Sequence, residues 1–163
     1  MSDVAPLKIL VVEDEAPKLE HIDRFLSQTG VNSSICFAHS VNAALDALDD
    51  VVPDLILLDM SLPTFDVNDR EDGGRPQGFG GIEILRHISM SEIKCATIII
   101  TGYEAFPREG EGPVELSQLR EELNTEFPSI LKGVLHYNST YDEWKTELVR
   151  VLRNVGVNSG DHE

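Results

Sequence analysis

The stretch LILLD, residues 55–59, decides the fold class of this chain. Four consecutive apolar residues are typical of a strand that is buried on both faces, as strands of parallel sheets are. A carboxylate directly after such a strand is costly to desolvate unless it lies at a crevice or is paired. A second run of this kind, KILVV at residues 8–12, is followed by EDE at residues 13–15. The sequence therefore predicts two buried parallel strands that both end in acids.

Strand-like and helix-like patterns alternate along the rest of the chain, which is typical of a parallel α/β sheet. We predict five strands, at residues 8–12, 34–38, 55–59, 96–101 and 133–137. Five helices are expected to follow them. The apolar spacing of Leu19, Ile22 and Leu26 marks the first helix, the fourth is predicted over Val114–Glu126, and the fifth is predicted to start near Thr140. The whole pattern indicates one domain over residues 1–157 and a flexible polar tail at 158–163.

Two connections are longer than is usual between the strands and helices of α/β proteins. Residues 64–81 follow the third predicted strand, and residues 103–113 follow the fourth. Both leave the carboxyl end of a strand, so both are expected to border the acidic edge of the sheet. A functional lid and a disordered insert are both compatible with them. The glycines at residues 78–81 resemble a phosphate-binding loop only weakly, because no Gly-Lys-Ser/Thr follows.

The acids after the first and third strands predict a metal site. In doubly wound sheets, ligands bind at the carboxyl ends of the strands, beside the point where the strand order reverses. Glu13, Asp14 and Asp59 would repel one another there unless a cation or a proton intervened. Carboxylate oxygens together with water are the ligands that suit Mg²⁺.

Composition excludes several classes of function. The formal net charge of -16 argues against binding to nucleic acid through its phosphates. No apolar stretch has the length of a membrane span, and the N-terminus lacks the pattern of a signal peptide, so we expect a cytoplasmic protein that does not enter a membrane. Cys36 and Cys95 lie in apolar segments and are predicted to be buried, inert thiols.

Three blocks of the sequence resemble response-regulator receiver domains: ILVVEDE at residues 9–15, DLILLDMSLP at 54–63, and IIITGY at 98–103. Their order and strand context match over about residues 7–155. The resemblance implies a flavodoxin-like fold, with a five-stranded parallel sheet in the order 2-1-3-4-5 and helices on both faces. It also implies a part in two-component phosphorelay signalling, with a histidine kinase or phosphotransfer protein as a partner.

The resemblance assigns roles to individual residues. Asp59 would be the phosphoacceptor. Glu13 and Asp14 would hold Mg²⁺ together with Asp59, and the backbone carbonyl of Ser61 would complete the protein ligands. Thr101 would be the switch hydroxyl that binds the phosphoryl group after transfer. A carboxylate can act as the nucleophile of such a reaction.

The sequence departs from the family after the last predicted strand. A Lys-Pro pair usually stands there, and its ammonium pairs with the acceptor carboxylate, but this chain has Tyr137-Asn138. A phenol cannot supply that positive charge. A basic residue of an inserted loop, such as Arg75, is one candidate substitute. Tyr137 and His136 are candidates for the switch aromatic, whose usual place is taken by Val134.

Two functions therefore remain open. The first is a stand-alone receiver that is phosphorylated on Asp59 with Mg²⁺ and signals through a downstream protein partner. The second is a pseudo-receiver, a protein-interaction module whose state does not depend on phosphate. An enzyme is not expected, because aspartyl phosphatases on a related fold usually carry a second Asp where Ser61 stands here.

Overall fold

The computed structural model describes residues 6–30, 33–62, 80–106, 112–138, 140 and 142–160, the last six of these as backbone only. Their secondary structure alternates as the sequence predicts. The strands are β1 (Leu7–Val12), β2 (Ser33–Ala38), β3 (Leu55–Leu58), β4 (Ala96–Thr101), β5 (Ala105–Phe106), β6 (Val114–Glu115) and β7 (Leu131–His136). The helices are α1 (Ala16–Gln28), α2 (Val41–Asp50), α3 (Gly80–Met90), α4 (Leu116–Glu126) and α5 (Glu143–Gly160).

Five parallel strands form the main sheet in the order β2-β1-β3-β4-β7. The predicted fold class is confirmed, and β7 is the fifth strand of that prediction. The strand order reverses after β1, since β2 lies on one side of β1 and β3 on the other. Asp59 and Glu13 therefore follow two neighbouring strands at the same edge of the sheet, beside the switch point where ligands of such folds bind.

Alternate residues of the central strand pack on opposite faces of the sheet. Ile56 and Leu58 contact the layer formed by α2, α3 and α4, while Leu55 and Leu57 contact the layer formed by α1 and α5. All four side chains are buried. This two-sided burial explains the uninterrupted apolar run in the sequence, and it fixes the point at which the chain leaves the core and reaches Asp59.

The structure corrects the boundaries of two predicted helices. Val114 belongs to β6, which pairs antiparallel with β5, so α4 begins at Leu116 and not at Val114. The insert at residues 103–113 therefore contributes a strand to a small hairpin. The last helix, α5, begins at Glu143 rather than near Thr140, and its backbone continues to Gly160, inside the predicted tail.

Other predictions fall partly outside the described residues. Residues 63–79, which include most of the first long connection and Arg75, are not among those described. Cys95 is buried as predicted, but the prediction for Cys36 is wrong, because that side chain is exposed. Cys36 lies on β2, the edge strand of the main sheet, where most side chains are not buried.

Candidate functional site

The two acids that follow β3 and β1 are held by main-chain hydrogen bonds of the sheet. The Asp59 N–H donates to the Val12 carbonyl at 3.0 Å, and the Glu13 N–H donates to the Ala38 carbonyl at 3.0 Å. Both residues are buried, with exposed fractions of 5% for Asp59 and 1% for Glu13. Buried acids are uncommon unless they are paired, so their position at a strand end indicates a site and not a solvated surface.

Asp14 completes an acidic cluster with these two residues. One carboxylate oxygen from each of Glu13, Asp14 and Asp59 lies within 4.8 Å of the others. Asp14 is exposed, so the cluster opens to solvent on its side. Ser61 is half-buried two residues after Asp59, where the chain leaves β3. Three carboxylates and an open side suit Mg²⁺, which takes oxygen ligands and keeps several waters.

A buried lysine joins the cluster from the first turn of α1. Lys18 Nζ lies 2.8 Å from Glu13 Oε1 and 3.1 Å from Asp59 Oδ1. It also donates a hydrogen bond to the Ile100 carbonyl at 2.7 Å. Its exposed fraction is 4%. An ammonium has three N–H donors, and these three acceptors can satisfy all of them in a site that excludes most water.

Burial shifts the pKa values of the clustered groups. Burial raises the pKa of Glu13 to about 7 even though the nearby Lys18 opposes the shift. Burial also raises the pKa of Asp59 and of Asp14 above the usual value of an aspartate. For Lys18, burial alone would lower the pKa, but the Asp59 and Glu13 carboxylates raise it above its usual value. The lysine therefore stays charged, and the acids retain a tendency to hold a proton or a cation.

Close backbone contact shapes the segment after Asp59. The Gly81 N–H, in the first turn of α3, donates to the Met60 carbonyl at 2.9 Å. A Cβ atom on Gly81 would lie 2.5 Å from the Asp59 carbonyl oxygen, which is too close for any side chain. Gly81 is required here by packing, because α3 approaches the chain after β3 more closely than a residue with a side chain would allow.

Thr101 ends β4, next to β3 in the sheet. It is fully buried, and its Oγ1 accepts a hydrogen bond from the Tyr103 N–H at 3.3 Å. The Thr101 carbonyl accepts one from the Tyr137 N–H at 2.7 Å. Lys18 donates a hydrogen bond to the carbonyl of Ile100, the residue before Thr101. Thr101 and the partner of Lys18 therefore lie at the same end of β4. The structure thus places the predicted switch hydroxyl at the acidic edge of the sheet.

Tyr137 lies against the lysine, at the position where the family pattern has its own lysine. Lys18 Nζ is 5.6 Å from the centroid of the Tyr137 ring, a distance at which the ring face attracts a cation. The Tyr137 hydroxyl forms a hydrogen bond of 2.8 Å with His21 Nδ1. The ring of Trp144, on α5, has its centroid 5.3 Å from that of Tyr137. The aromatic cluster of Tyr137, His21 and Trp144 therefore borders the buried cation.

Lys18 was missed in the sequence because the predicted apolar stripe of α1 ran through its neighbour Leu19. The predicted stripe was Leu19, Ile22 and Leu26, but the residues of α1 that are buried are Lys18, Ile22 and Leu26. These three are four residues apart, the spacing of one helix face. A lysine in phase with a buried apolar stripe was the signal available in the sequence.

Comparison with known proteins identifies the family. The sequence profile described as "Response regulator receiver domain" matches residues 9–111. The chain belongs to the response regulator receiver domain family. Proteins of this family take part in two-component signalling together with kinases or other partner proteins, and they typically bind Mg²⁺ at an acidic pocket.

Individual relatives agree with this assignment. The Detocs response regulatory protein DtcB of Enterobacter cloacae is 27% identical over 148 residues, which cover 90% of this chain and 98% of that protein. The signal receiver domain of an HD domain-containing protein from Pseudomonas fluorescens Pf-5 has a TM-score of 0.65 at 20% identity, covering 97% of this chain and 100% of that one.

A third relative was solved with ligands. The response regulator protein TrrA of Thermotoga maritima, in complex with Mg(2+)-BeF, has a TM-score of 0.60 at 21% identity, covering 89% of this chain and 98% of that one. The two solved structures share the fold of this receiver domain.

Among the described residues of this chain, no helix is both long and apolar enough to cross a membrane.

Proposed function

We propose that this receiver domain accepts a phosphoryl group on Asp59 in the presence of Mg²⁺ and passes the signal to a partner protein. The observation that carries the proposal is the arrangement around Asp59. Its buried carboxylate lies in a cluster with Glu13 and Asp14 and has an ammonium 3.1 Å from Oδ1. A buried acid that is grouped with other acids and with a cation at the edge of the sheet is a candidate for a functional site.

The proposed reaction is a phosphoryl transfer between two proteins. A phosphohistidine of a histidine kinase or phosphotransfer protein is the donor. A carboxylate oxygen of Asp59 attacks phosphorus, the P–N bond to the donor imidazole breaks, and the imidazole leaves with the bonding electron pair and takes up a proton. The product is an acyl phosphate on Asp59. The protein contributes mainly positioning and electrostatic stabilisation to such a transfer.

Glu13, Asp14 and Asp59 are the side chains that would hold the magnesium ion, with the Ser61 carbonyl as the proposed fourth protein ligand. When ionised, the three acids and Lys18 leave two formal negative charges, which one divalent cation would balance. The bound ion would neutralise negative charge on the phosphoryl oxygens as they are transferred. Asp14, the exposed member, leaves room for water on the outer side of the site.

Thr101 is proposed to bind the phosphoryl group once it is on Asp59. Its hydroxyl now accepts a hydrogen bond from the Tyr103 N–H and can donate its own proton to a phosphoryl oxygen. A new bond from Thr101 would shift the loop that begins at Gly102, next to the β5–β6 hairpin. Local charge changes at a phosphorylation site commonly act through such a movement.

The protein is proposed to be a phosphoacceptor and not a phosphatase that turns over substrate. Aspartyl phosphatases of related topology use a second acid two positions after the nucleophile, and Ser61 stands there. A serine hydroxyl is not a general acid or base near neutral pH, so it cannot replace that carboxyl group.

Mass spectrometry tests the proposed acceptor. The purified protein is incubated with a small-molecule phosphodonor and Mg²⁺, and one phosphoryl group should add about 80 Da. The adduct should be absent from Asp59→Asn and from a sample with a metal chelator. Asp49→Asn, an exposed aspartate at the end of α2, is the matched control and should be phosphorylated normally.

The outcome separates the two functions that the sequence left open. An adduct that depends on Asp59 and on the metal would support a working phosphoacceptor. If neither a small-molecule donor nor a phosphorylated phosphotransfer protein modifies Asp59, the protein is a pseudo-receiver whose interactions do not depend on phosphate.

A further inference from the structure

We propose that Lys18 is the positioning cation of the phosphoacceptor site, supplied by α1 in place of the lysine that receiver domains usually carry after the last strand of the sheet. The inference rests on the proposed function, since it concerns how Asp59 accepts phosphate. It goes beyond the family pattern because the charge comes from a different element of the fold, and the residue at the usual position is Tyr137.

The contacts of Lys18 suit this role. Its ammonium is 3.1 Å from Oδ1 of Asp59, within hydrogen-bonding distance. The hydrogen bond to the Ile100 carbonyl, at 2.7 Å, ties the same ammonium to the strand that ends at Thr101. A cation in this position orients the acceptor carboxylate before transfer. After transfer it can bind an oxygen of the phosphoryl group, which carries more negative charge than the carboxylate did.

The site around Tyr137 explains why a lysine is not needed there. The tyrosine ring faces Lys18 Nζ at 5.6 Å from its centroid, and its hydroxyl is held by His21. Lys18 and His21 are three residues apart on α1, so the same helix face supplies the cation and fixes the ring. A second ammonium at residue 137 would lie close to the first and repel it.

A purely structural ion pair is the competing interpretation, and magnesium affinity separates the two. Lys18 contacts two of the three carboxylates that would bind Mg²⁺. Removing its charge should therefore strengthen Mg²⁺ binding at a pH where the carboxylates are ionised, while phosphorylation of Asp59 becomes slower. A lysine that only maintained the fold would on removal weaken both, because the carboxylates would lose their arrangement.

The test uses the full chain and the neutral variant Lys18→Gln, which keeps a hydrogen-bond donor. We expect phosphorylation by the small-molecule donor to slow about 100-fold, the usual loss when a charge-stabilising donor is removed. Calorimetry at a pH high enough to keep Glu13 ionised in both proteins should show Mg²⁺ binding about 10-fold tighter than in the unchanged protein, since a competing positive charge is gone. Lys132→Gln, an exposed lysine at the start of β7, is the matched control and should change neither quantity.

Moving the positive charge from residue 18 to residue 137 gives an independent check. In the double variant Lys18→Gln/Tyr137→Lys, the ammonium returns to the usual position of the family. We expect this variant to recover most of the lost phosphorylation rate, while Tyr137→Lys in the presence of Lys18 should not accelerate it.

The outcomes distinguish this inference from the proposed function. If the unchanged protein is phosphorylated and Lys18→Gln is phosphorylated at the same rate, the role of Lys18 is overturned and the proposed function stands. Slower phosphorylation with weaker Mg²⁺ binding and no recovery in the double variant would also overturn it, in favour of a structural ion pair. If the unchanged protein is not phosphorylated on Asp59 by any donor, the proposed function fails, and this inference fails with it.

Discussion

Raising the pH from 6 to 8 should strengthen Mg²⁺ binding about tenfold, because Glu13 must lose its proton before it can ligate a metal. Burial raises the pKa of Glu13 to about 7. With that pKa, roughly one tenth of the Glu13 side chains are ionised at pH 6 and roughly nine tenths at pH 8. A glutamate with an ordinary pKa would be almost fully ionised at both values, and the affinity would scarcely change.

Isothermal titration calorimetry at pH 6, 7 and 8 measures this effect directly. Repeating the titration at pH 7 in two buffers with different ionisation enthalpies should reveal protons released as the metal binds. Glu13→Gln should bind Mg²⁺ more weakly at every pH and should show a smaller pH dependence. The raised pKa values of Asp59 and Asp14 act in the same direction. Some pH dependence of the Mg²⁺ affinity is therefore expected to remain in Glu13→Gln. An affinity in the unchanged protein that stays constant from pH 6 to 8 would refute the reasoning.

The same pKa shift predicts the stability of the metal-free protein. An acid whose folded pKa lies above its unfolded value binds more protons in the native state, so its stabilising contribution is complete below the unfolded pKa. For Glu13 that contribution is lost as the pH rises from 4.5 to about 7. The shift corresponds to about 3 kcal/mol. Urea unfolding in a metal chelator, followed by the fluorescence of Trp144, should show this decline in the unchanged protein and much less of it in Glu13→Gln.

Three further predictions concern packing and exposure. Gly81→Ala should destabilise the protein by about 1–3 kcal/mol in urea unfolding, because its Cβ would meet the carbonyl oxygen of Asp59. Gly102→Ala has open space and should cost far less. Thr97→Val should leave stability unchanged or raise it by about 1 kcal/mol, because the buried Thr97 hydroxyl has no hydrogen-bond partner among the described residues; a clear loss would reveal an unrecognised partner. Iodoacetamide should alkylate the exposed Cys36 quickly and Cys95 only on unfolding, because burial raises the pKa of the Cys95 thiol to about 12, and equal rates in the native protein would contradict this.

The main sheet could be predicted from sequence because its strands are long apolar runs with a clear physical cause. LILL at residues 55–58 is buried on both faces, and most residues of β1 and β4 are buried in the same way. The hairpin of β5 and β6 could not be predicted in this way, because two-residue strands have no periodicity. Val114 therefore looked like the start of α4, whose apolar spacing does continue from Leu116.

The acidic part of the site could be predicted from the sequence for a related reason. Parallel strands bring their carboxyl ends to one edge, so Glu13, Asp14 and Asp59 had to lie near one another once the strands were recognised. The position of the Lys18 ammonium could not be predicted in this way, since it depends on which face of α1 turns inward. Lys18 lies on the buried face with Ile22 and Leu26, and the half-buried Leu19 beside it was predicted in its place.

The source of the positive charge has a consequence for how the domain would respond to phosphate. A lysine after the last strand is carried by a loop, whereas Lys18 belongs to a helix and is hydrogen-bonded to the main chain of β4. Its aromatic neighbour Tyr137 contacts His21 and Trp144, which lie on α1 and α5. A shift of the ammonium toward a phosphoryl group would change its contact with Tyr137 and, through that ring, the packing of α1 against α5. The single tryptophan of the chain lies at that junction, so its fluorescence should change on phosphorylation of the unchanged protein and remain constant in Lys18→Gln.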